Sequence, residues 1–344
     1  MKFNAAILTE LNQPLTISQI ESTELKIGQV LVKVLMSGLC GAQLQEISGY
    51  KGNGKFLPHL MGHEGCGIVE EVGPGVTTVK VSDKVVMHWR KGEGIESDFP
   101  TYIYNETNMY SGKVTTISEY SVVSENRLTT VPQETPEELC ALLGCGLTTA
   151  LGVINNEANV KFGESVMVVG SGGVGLNLIQ GASLASAYPI YAVDVVEDKK
   201  ELTLSLGATT YINTSSEDID SVLGKNKIDV IIDTTGNPEV IKKSLNFLSG
   251  NGRFILVGQP KPEQEIIIPT ANKMFDGVGK ILQATQGGKT NPSEDIPRYV
   301  NLEKSGKLDI KKLVTHYFDF DKVNEAFKLL KSGKAGRIMI NINK

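Results

Sequence analysis

Ser165-Val166-Met167-Val168-Val169-Gly170-Ser171-Gly172-Gly173-Val174-Gly175 is the stretch on which the fold of this chain turns. An apolar, strand-type run enters a glycine-rich turn, and a helix-type segment follows it. Glycines 170, 172 and 175 satisfy G-x-G-x-x-G. The first permits the tight turn, the second lets a pyrophosphate approach the backbone, and the third lets helix pack on strand. Phosphates would sit on the unpaired N–H groups and positive dipole end of the helix N-terminus. Asp194 closes Ile190-Tyr-Ala-Val-Asp194, 24 residues after Gly170. A carboxylate there accepts from ribose hydroxyls and repels a 2′-phosphate, which predicts NAD rather than NADP. Capping the helix expected over 197–206 is the other role open to Asp194.

Outward from this turn, strand-like runs at 165–169, 190–194, 209–212, 228–233, 252–257 and 279–283 alternate with helix-like segments. Gly207 sits where the second helix should close. Such alternation predicts an α/β fold, a doubly wound parallel sheet covered on both faces. The first 130 residues are instead β-like, with runs at 29–36, 67–72, 84–87 and 116–123 between turn clusters. A helix is expected from Pro136, with Thr135 as N-cap and Glu138 completing a capping box. After Gly287-Gly288 come two helical stretches, near 294–305 and 321–332, and a final strand at 337–342. The parallel-sheet domain, 147–285, is therefore expected as an insertion in a β-rich domain made of 1–146 and 286–344.

Composition narrows the function. At 344 residues the chain has room for two domains and a core that needs no staples. Its net charge, 34 − 39 = −5, comes without blocks of like charge. No nucleic-acid or membrane-surface partner is expected on that ground. Four cysteines are too few for a disulfide framework, which implies a reducing compartment. The apolar run at 5–8 is too short for a secretory signal, and no run nears the ~18 residues of a membrane span. A cytoplasmic location is expected.

Three segments carry possible ligands: Gly38-Leu39-Cys40-Gly41-Ala42-Gln43-Leu44-Gln45, Met61-Gly62-His63-Glu64-Gly65-Cys66-Gly67, and Gly144-Cys145-Gly146. Taken singly, each cysteine reads as a small buried hydrophobe and His63 as a structural histidine. Spacing alone does not connect residues 40, 63 and 145. The segments do so together with Val69–Val76, Asp83-Lys-Val-Val86, Gly144–Thr149, Gly170–Gly175 and Ser332-Gly-x-x-x-Arg337. In that order, along essentially the whole chain, they resemble the zinc-dependent medium-chain dehydrogenases/reductases, the alcohol dehydrogenase family.

The resemblance implies a Rossmann domain inserted in a GroES-like catalytic domain. It implies that Cys40, His63 and Cys145 hold one catalytic zinc per subunit with an open fourth position. Glu64 would approach the zinc and assist ligand exchange. Gly170, Gly172, Gly173, Val174 and Gly175 would hold NAD, with Lys199 at the adenosine ribose and Arg337 at the pyrophosphate. Thr149 and Val257 would meet the nicotinamide, and Ala42 and Trp89 would line the substrate pocket. The reaction implied is hydride transfer between NAD(H) and a small-molecule alcohol or carbonyl, by way of a zinc-bound alkoxide. A homodimer or homotetramer is implied, extended through the strand near 279–283. Cys66 and Cys140 match no ligand position and read as packing residues.

Two departures from the family stand out. Residues 88–119 contain no cysteine, so the structural zinc of many members has no thiolates here. The positions that usually hold Ser or Thr, Asp, and often His after the first ligand are Ala42, Gln43 and Gln45. The hydroxyl and imidazole that pass an alcohol proton to solvent are thus missing. Gln43 can still accept from His63 through its amide oxygen. Water, a ribose hydroxyl or His88 would have to carry the proton. The alternative is an NAD(P)H-dependent reductase of an unsaturated carbonyl or imine. A non-catalytic binding protein is more remote, because all three ligands and the fingerprint are retained. Arg90 and Lys91, beside Trp89, are either a cationic pair favouring an anionic substrate or exposed residues of a solvated loop.

Overall fold

Val166–Val169 has four consecutive buried side chains, as a strand covered on both faces must. The computed structural model, which describes residues 1–50, 52, 54–268 and 270–343, sets it inside a six-stranded parallel sheet. The strands run in the order Thr210–Asn213, Ile190–Asp194, Val166–Val169, Ile228–Asp233, Leu248–Leu256, Ile281–Ala284. Chain order therefore reverses on either side of Val166–Val169, which opens a crevice at the carboxyl ends of the strands. The helix Gly173–Leu184 begins inside the fingerprint turn, with Gly172 as its N-cap. Met167, Ile231 and Phe254 are fully buried in the core that packs this sheet.

That sheet belongs to the unit Thr149–Thr290; the other unit joins Met1–Thr148 to Asn291–Lys344. The two ends of the chain meet in one sheet. Arg337–Asn341 pairs antiparallel with Gln29–Gly38, setting Met339 opposite Gly38 and Asn341 opposite Met36. Gln29–Gly38 also pairs with Glu64–Val72 and Tyr120–Ser124. Its alternation decides the packing: Val30, Val32 and Val34 enter the larger core. Leu31 points the other way, to Phe3, Tyr102 and Val122. Full burial of each such side chain contributes about 1.5–3 kcal/mol.

Two local expectations are corrected. The strand expected over 116–123 begins only at Tyr120. Thr116 and Ile117 both donate their N–H to the Met61 carbonyl, at 3.1 Å each, which takes them off the ladder and onto the segment leading to His63. The helix near 136 runs Glu137–Leu143 with Pro136, not Thr135, at the N-cap. The Thr135 hydroxyl makes no cap bond, while its carbonyl accepts from Lys84 Nζ at 2.6 Å. Gly207 does close its helix, at φ +112°. Among the described residues no single helix is long and apolar enough to cross a membrane.

Candidate active site

Cys40 caps the helix Gly41–Ile47, His63 immediately precedes the strand Glu64–Val72, and Cys145 lies between two helices. All three belong to the first unit. Their ligand atoms lie within 4.8 Å of one another, and they are the metal-type group of three found among the described residues. Tetrahedral zinc with bonds of about 2.0–2.3 Å needs ligand atoms about 3.5–3.8 Å apart. The cluster's upper limit of 4.8 Å is about 1 Å above that spacing. Two thiols and an imidazole, with no further ligand in the group, match the donor set of a zinc site with an open position. A hydrogen bond from Cys145 holds the Cys40 thiol well below its ordinary value, and the same bond pushes Cys145 up. Burial opposes charge on His63, but its hydrogen bond to Cys40 and the charge of that thiol raise it.

Glu64 does not join the three. Its carboxylate pairs with Arg337, both side chains being at most 2% exposed, and also accepts the Gly146 N–H at 3.2 Å. Burial pushes the Glu64 carboxyl up, and Arg337 pulls it back. Three glycines make room for this pair. A Cβ on Gly38 would come 2.7 Å from Glu64 Oε1, and one on Gly144 2.6 Å from Glu64 Cα. One on Gly146 would come 2.9 Å from an Arg337 amino nitrogen. The glycines flanking Cys145 thus have a steric reason that spacing could not reveal. Arg337, expected at a pyrophosphate, is folded inward onto Glu64 as part of the first unit. The pair adds no net charge beside the cluster, so two thiolates would balance a divalent ion.

The remaining first-unit residues are placed as follows. Ala42 is half-buried on the helix after Cys40 and carries no polar side-chain atom. Gln43 is fully buried, but its Oε1 accepts from the Cys40 N–H at 2.8 Å, not from His63 as expected. An acceptor one turn into the helix is claimed by the nearest free N–H at the helix start. Trp89 is half-buried, its backbone N–H donating to the Gly144 carbonyl at 3.3 Å. Arg90 lies over the Trp89 ring at 5.8 Å, while Lys91, Lys113 and Arg127 converge on Glu96. Lys91 and then Lys113 hold the Glu96 carboxyl down at about 2. Glu125 accepts N–H groups from Thr77, Thr78 and Ile95 at 2.6–2.8 Å. Carboxylates thus tie together the segment in which cysteines are missing. Cys66 and Cys140 are fully buried free thiols, as packing residues should be.

His88 is unsuited to carrying a proton. It is 1% exposed, with Nδ1 2.8 Å from the Arg90 carbonyl and Nε2 2.9 Å from Thr129 Oγ1. A carbonyl only accepts, so Nδ1 holds the proton and Nε2 accepts the threonine hydroxyl. Burial, opposed by the bond to Arg90, lowers its pKa to about 4. The unfolded chain takes up this proton near pH 6.5 and the folded chain only near 4. Stability present at pH 7 is therefore lost as pH falls through that window. The shift is worth about 3 kcal/mol. The stability gap between the wild-type chain and His88→Gln, measured by denaturant unfolding, should shrink by about that much between pH 7 and pH 4. A pH-independent gap would refute the assignment.

The second unit holds the groove. Gly170 has φ +94°, and a Cβ there would meet Thr234 Oγ1 at 2.4 Å; one on Gly175 would meet the Gly170 carbonyl at 1.8 Å. A Cβ on Gly172 would meet nothing within 4 Å, so the backbone there is open to a close-approaching phosphate. Gly172, Gly173 and Val174 are partly exposed. Asp194 accepts N–H groups from Ser171 at 2.6 Å and from Val195 at 2.7 Å, and Lys199 Nζ stands 3.6 Å from it. Asp194 thus fixes the fingerprint turn as well as facing the groove. It helps line a cleft of about 380 Å³ with Gly170, Thr214, Thr235 and Val240. Val257 follows the strand Leu248–Leu256, and Thr149 is buried on the helix Gly146–Gly152. The open cradle at Gly172 and the carboxylate at the strand end fit a dinucleotide.

A Cys₂His cluster on a β-rich unit and a doubly wound dinucleotide groove define a class, the metal-dependent nicotinamide dehydrogenases. Comparison with known proteins gives the same answer. The alcohol dehydrogenase GroES-like domain matches residues 26–133, and the zinc-binding dehydrogenase domain matches residues 173–302. S-(hydroxymethyl)glutathione dehydrogenase of Photobacterium damsela subsp. piscicida is 34% identical over 374 residues, spanning 99% of this chain and all of that protein. Benzyl alcohol dehydrogenase from Acinetobacter calcoaceticus is 26% identical with a TM-score of 0.90, and each chain is covered completely. 2R,3R-butanediol dehydrogenase from Bacillus subtilis is 26% identical with a TM-score of 0.79, covering 99% of this chain and 100% of that one. The chain belongs to the zinc-dependent alcohol dehydrogenase family of medium-chain dehydrogenases/reductases, and it is an oxidoreductase of that type.

Proposed function

We propose that this enzyme interconverts an alcohol and an aldehyde or ketone with NAD(H), using one zinc per chain held by Cys40, His63 and Cys145. The observation that carries it is the convergence of these three ligands to within 4.8 Å from three segments spread over 105 residues, 145 − 40. Zinc held by these residues would supply Lewis acidity for an alcohol or carbonyl oxygen, and a bound nicotinamide would supply the hydride chemistry. The chain's own residues orient and exclude. Glu64 and Arg337 fix the backbone around Cys145, and Trp89 and Ala42 wall the substrate side. Thr149 and Val257 flank the nicotinamide. The four free cysteines support a reducing, cytoplasmic setting.

Asp194 and Lys199 select the adenosine ribose. NAD should bind more tightly than NADP, and Asp194→Gly should narrow that gap about tenfold or more by removing the charge that repels a 2′-phosphate. Titration of both cofactors checks it; tighter NADP binding by the wild-type chain would sink the assignment. A homodimer or homotetramer is supported by the exposed apolar residues Phe275, Val278 and Ile281 at the edge of the six-stranded sheet.

The relay positions favour a second reading. Ala42 has no hydroxyl and His88 has both nitrogens engaged, so this chain offers no side-chain relay at those places. A reductase of an unsaturated carbonyl or imine would not need the usual one. A positioned base contributes about 10²–10⁴-fold. For an alcohol dehydrogenase, Ala42→Ser with Gln45→His should raise alcohol oxidation near neutral pH at least tenfold, and less at high pH where hydroxide takes the proton. Rates across pH 6–10 on alcohol and unsaturated-carbonyl panels decide. Unchanged alcohol oxidation beside strong native reduction of the second panel would overturn the first reading.

A further inference from the structure

Cys40, the first of the three ligands, stands where a strand hands over to a helix. Gly38 still pairs with Met339, and the Leu39 N–H donates to the Ile338 carbonyl at 3.0 Å. Cys40 has left that ladder, with an extended backbone at φ −123° and ψ 147°, and caps the helix Gly41–Ile47. On the helix side both of its backbone groups go to one residue, Gln43. The Cys40 N–H donates to Gln43 Oε1 at 2.8 Å, and the Cys40 carbonyl accepts the Gln43 N–H at 3.0 Å. That N–H also faces the Cys40 side chain, the reciprocal arrangement of a capping box.

A capping box ordinarily serves its helix. Here the capping residue is also a metal-type ligand, so the same bonds fix where its Sγ stands relative to His63 and Cys145. Gln43 is fully buried, so water cannot take the place of its oxygen. An N–H only donates, which sets the amide with Oε1 toward Cys40. Among the described residues Gln43 Nε2 has no hydrogen-bond partner, at a cost of about 1–3 kcal/mol. Glutamate would accept the same bond with no orphaned donor, but would set a third negative charge beside two thiolates. Neutral glutamine supplies the oxygen and leaves the charge balance of the site to the two cysteines.

We infer that Gln43 is a positioning residue for the metal: its amide oxygen locks Cys40 in the place that receives zinc. Support from this helix thus falls on the thiolate arm of the site and not on the imidazole. The inference rests on the proposed zinc at Cys40, His63 and Cys145. A group that orients a ligand without touching the ion carries about 10–100-fold of metal affinity.

The test is the zinc affinity of the folded full-length chain, measured by competition with a chromophoric chelator. Denaturant unfolding of the zinc-free chain runs beside it. Gln43→Leu fills a similar volume without an acceptor and should weaken zinc binding about 10–100-fold. Gln43→Glu keeps the acceptor and should hold zinc as tightly as the wild type, or more tightly. If Gln43 only caps the helix, Gln43→Leu will lower zinc-free stability while the folded chain keeps its zinc affinity. That result overturns the inference. A Gln43→Glu chain that folds and yet loses zinc also overturns it, whether or not the leucine variant folds. Failure of the wild-type chain to bind zinc would instead sink the proposed function.

Discussion

Replacing Cys145 by alanine is expected to lower the zinc content from one per chain to none, and turnover by at least about 10³-fold. Cys40, His63 and Cys145 leave no spare ligand, because the nearest carboxylate, Glu64, is occupied by Arg337 and the Gly146 N–H. Two remaining ligands hold a divalent ion far more weakly than three, and the thiolate lost is also part of its charge balance. The apo chain should melt at lower temperature, since a metal bound only by the native state stabilises it. Cys66→Ala removes a buried thiol outside the cluster and should leave the zinc in place. Elemental analysis after dialysis checks both variants. One tightly bound zinc retained by Cys145→Ala, or two zincs in the wild type, would show that the ligands are misassigned.

Glu64→Gln should destabilise the first unit by about 3–5 kcal/mol, the cost of leaving a buried charge without its partner. The effect is large because Arg337 cannot neutralise itself by losing a proton. Its guanidinium is 2% exposed and is packed against Gly146. The glutamine retains an acceptor for the Gly146 N–H, so the loss reports the charge pair rather than that bond. Replacing both partners, Glu64→Leu with Arg337→Met, should recover much of the loss, since apolar pairs of similar volume often match buried ion pairs. Denaturant unfolding of the three chains, loaded with zinc and free of it, measures this. A cost below about 1 kcal/mol in both states would mean that water reaches the pair.

The sequence by itself determined the parallel sheet, because strands buried on both faces must be continuous apolar runs. Ile190–Asp194 and Ile228–Asp233 begin and end where those runs do. It also determined the fingerprint glycines, since close packing at Gly175 and the turn at Gly170 exclude a side chain locally. Local chemistry was not enough elsewhere. Thr135 looked like a cap, yet Lys84 from a distant strand takes its carbonyl. Cys40, His63 and Cys145 were joined by resemblance to a known family, because no local periodicity links ligands from three separate segments. Only the tertiary structure decided that Glu64 turns to Arg337, 273 residues away, and that His88 is buried with both nitrogens bonded. The strength of a hydrogen bond or a charge pair depends on what else reaches the same atom, and that is settled when distant strands are brought into register.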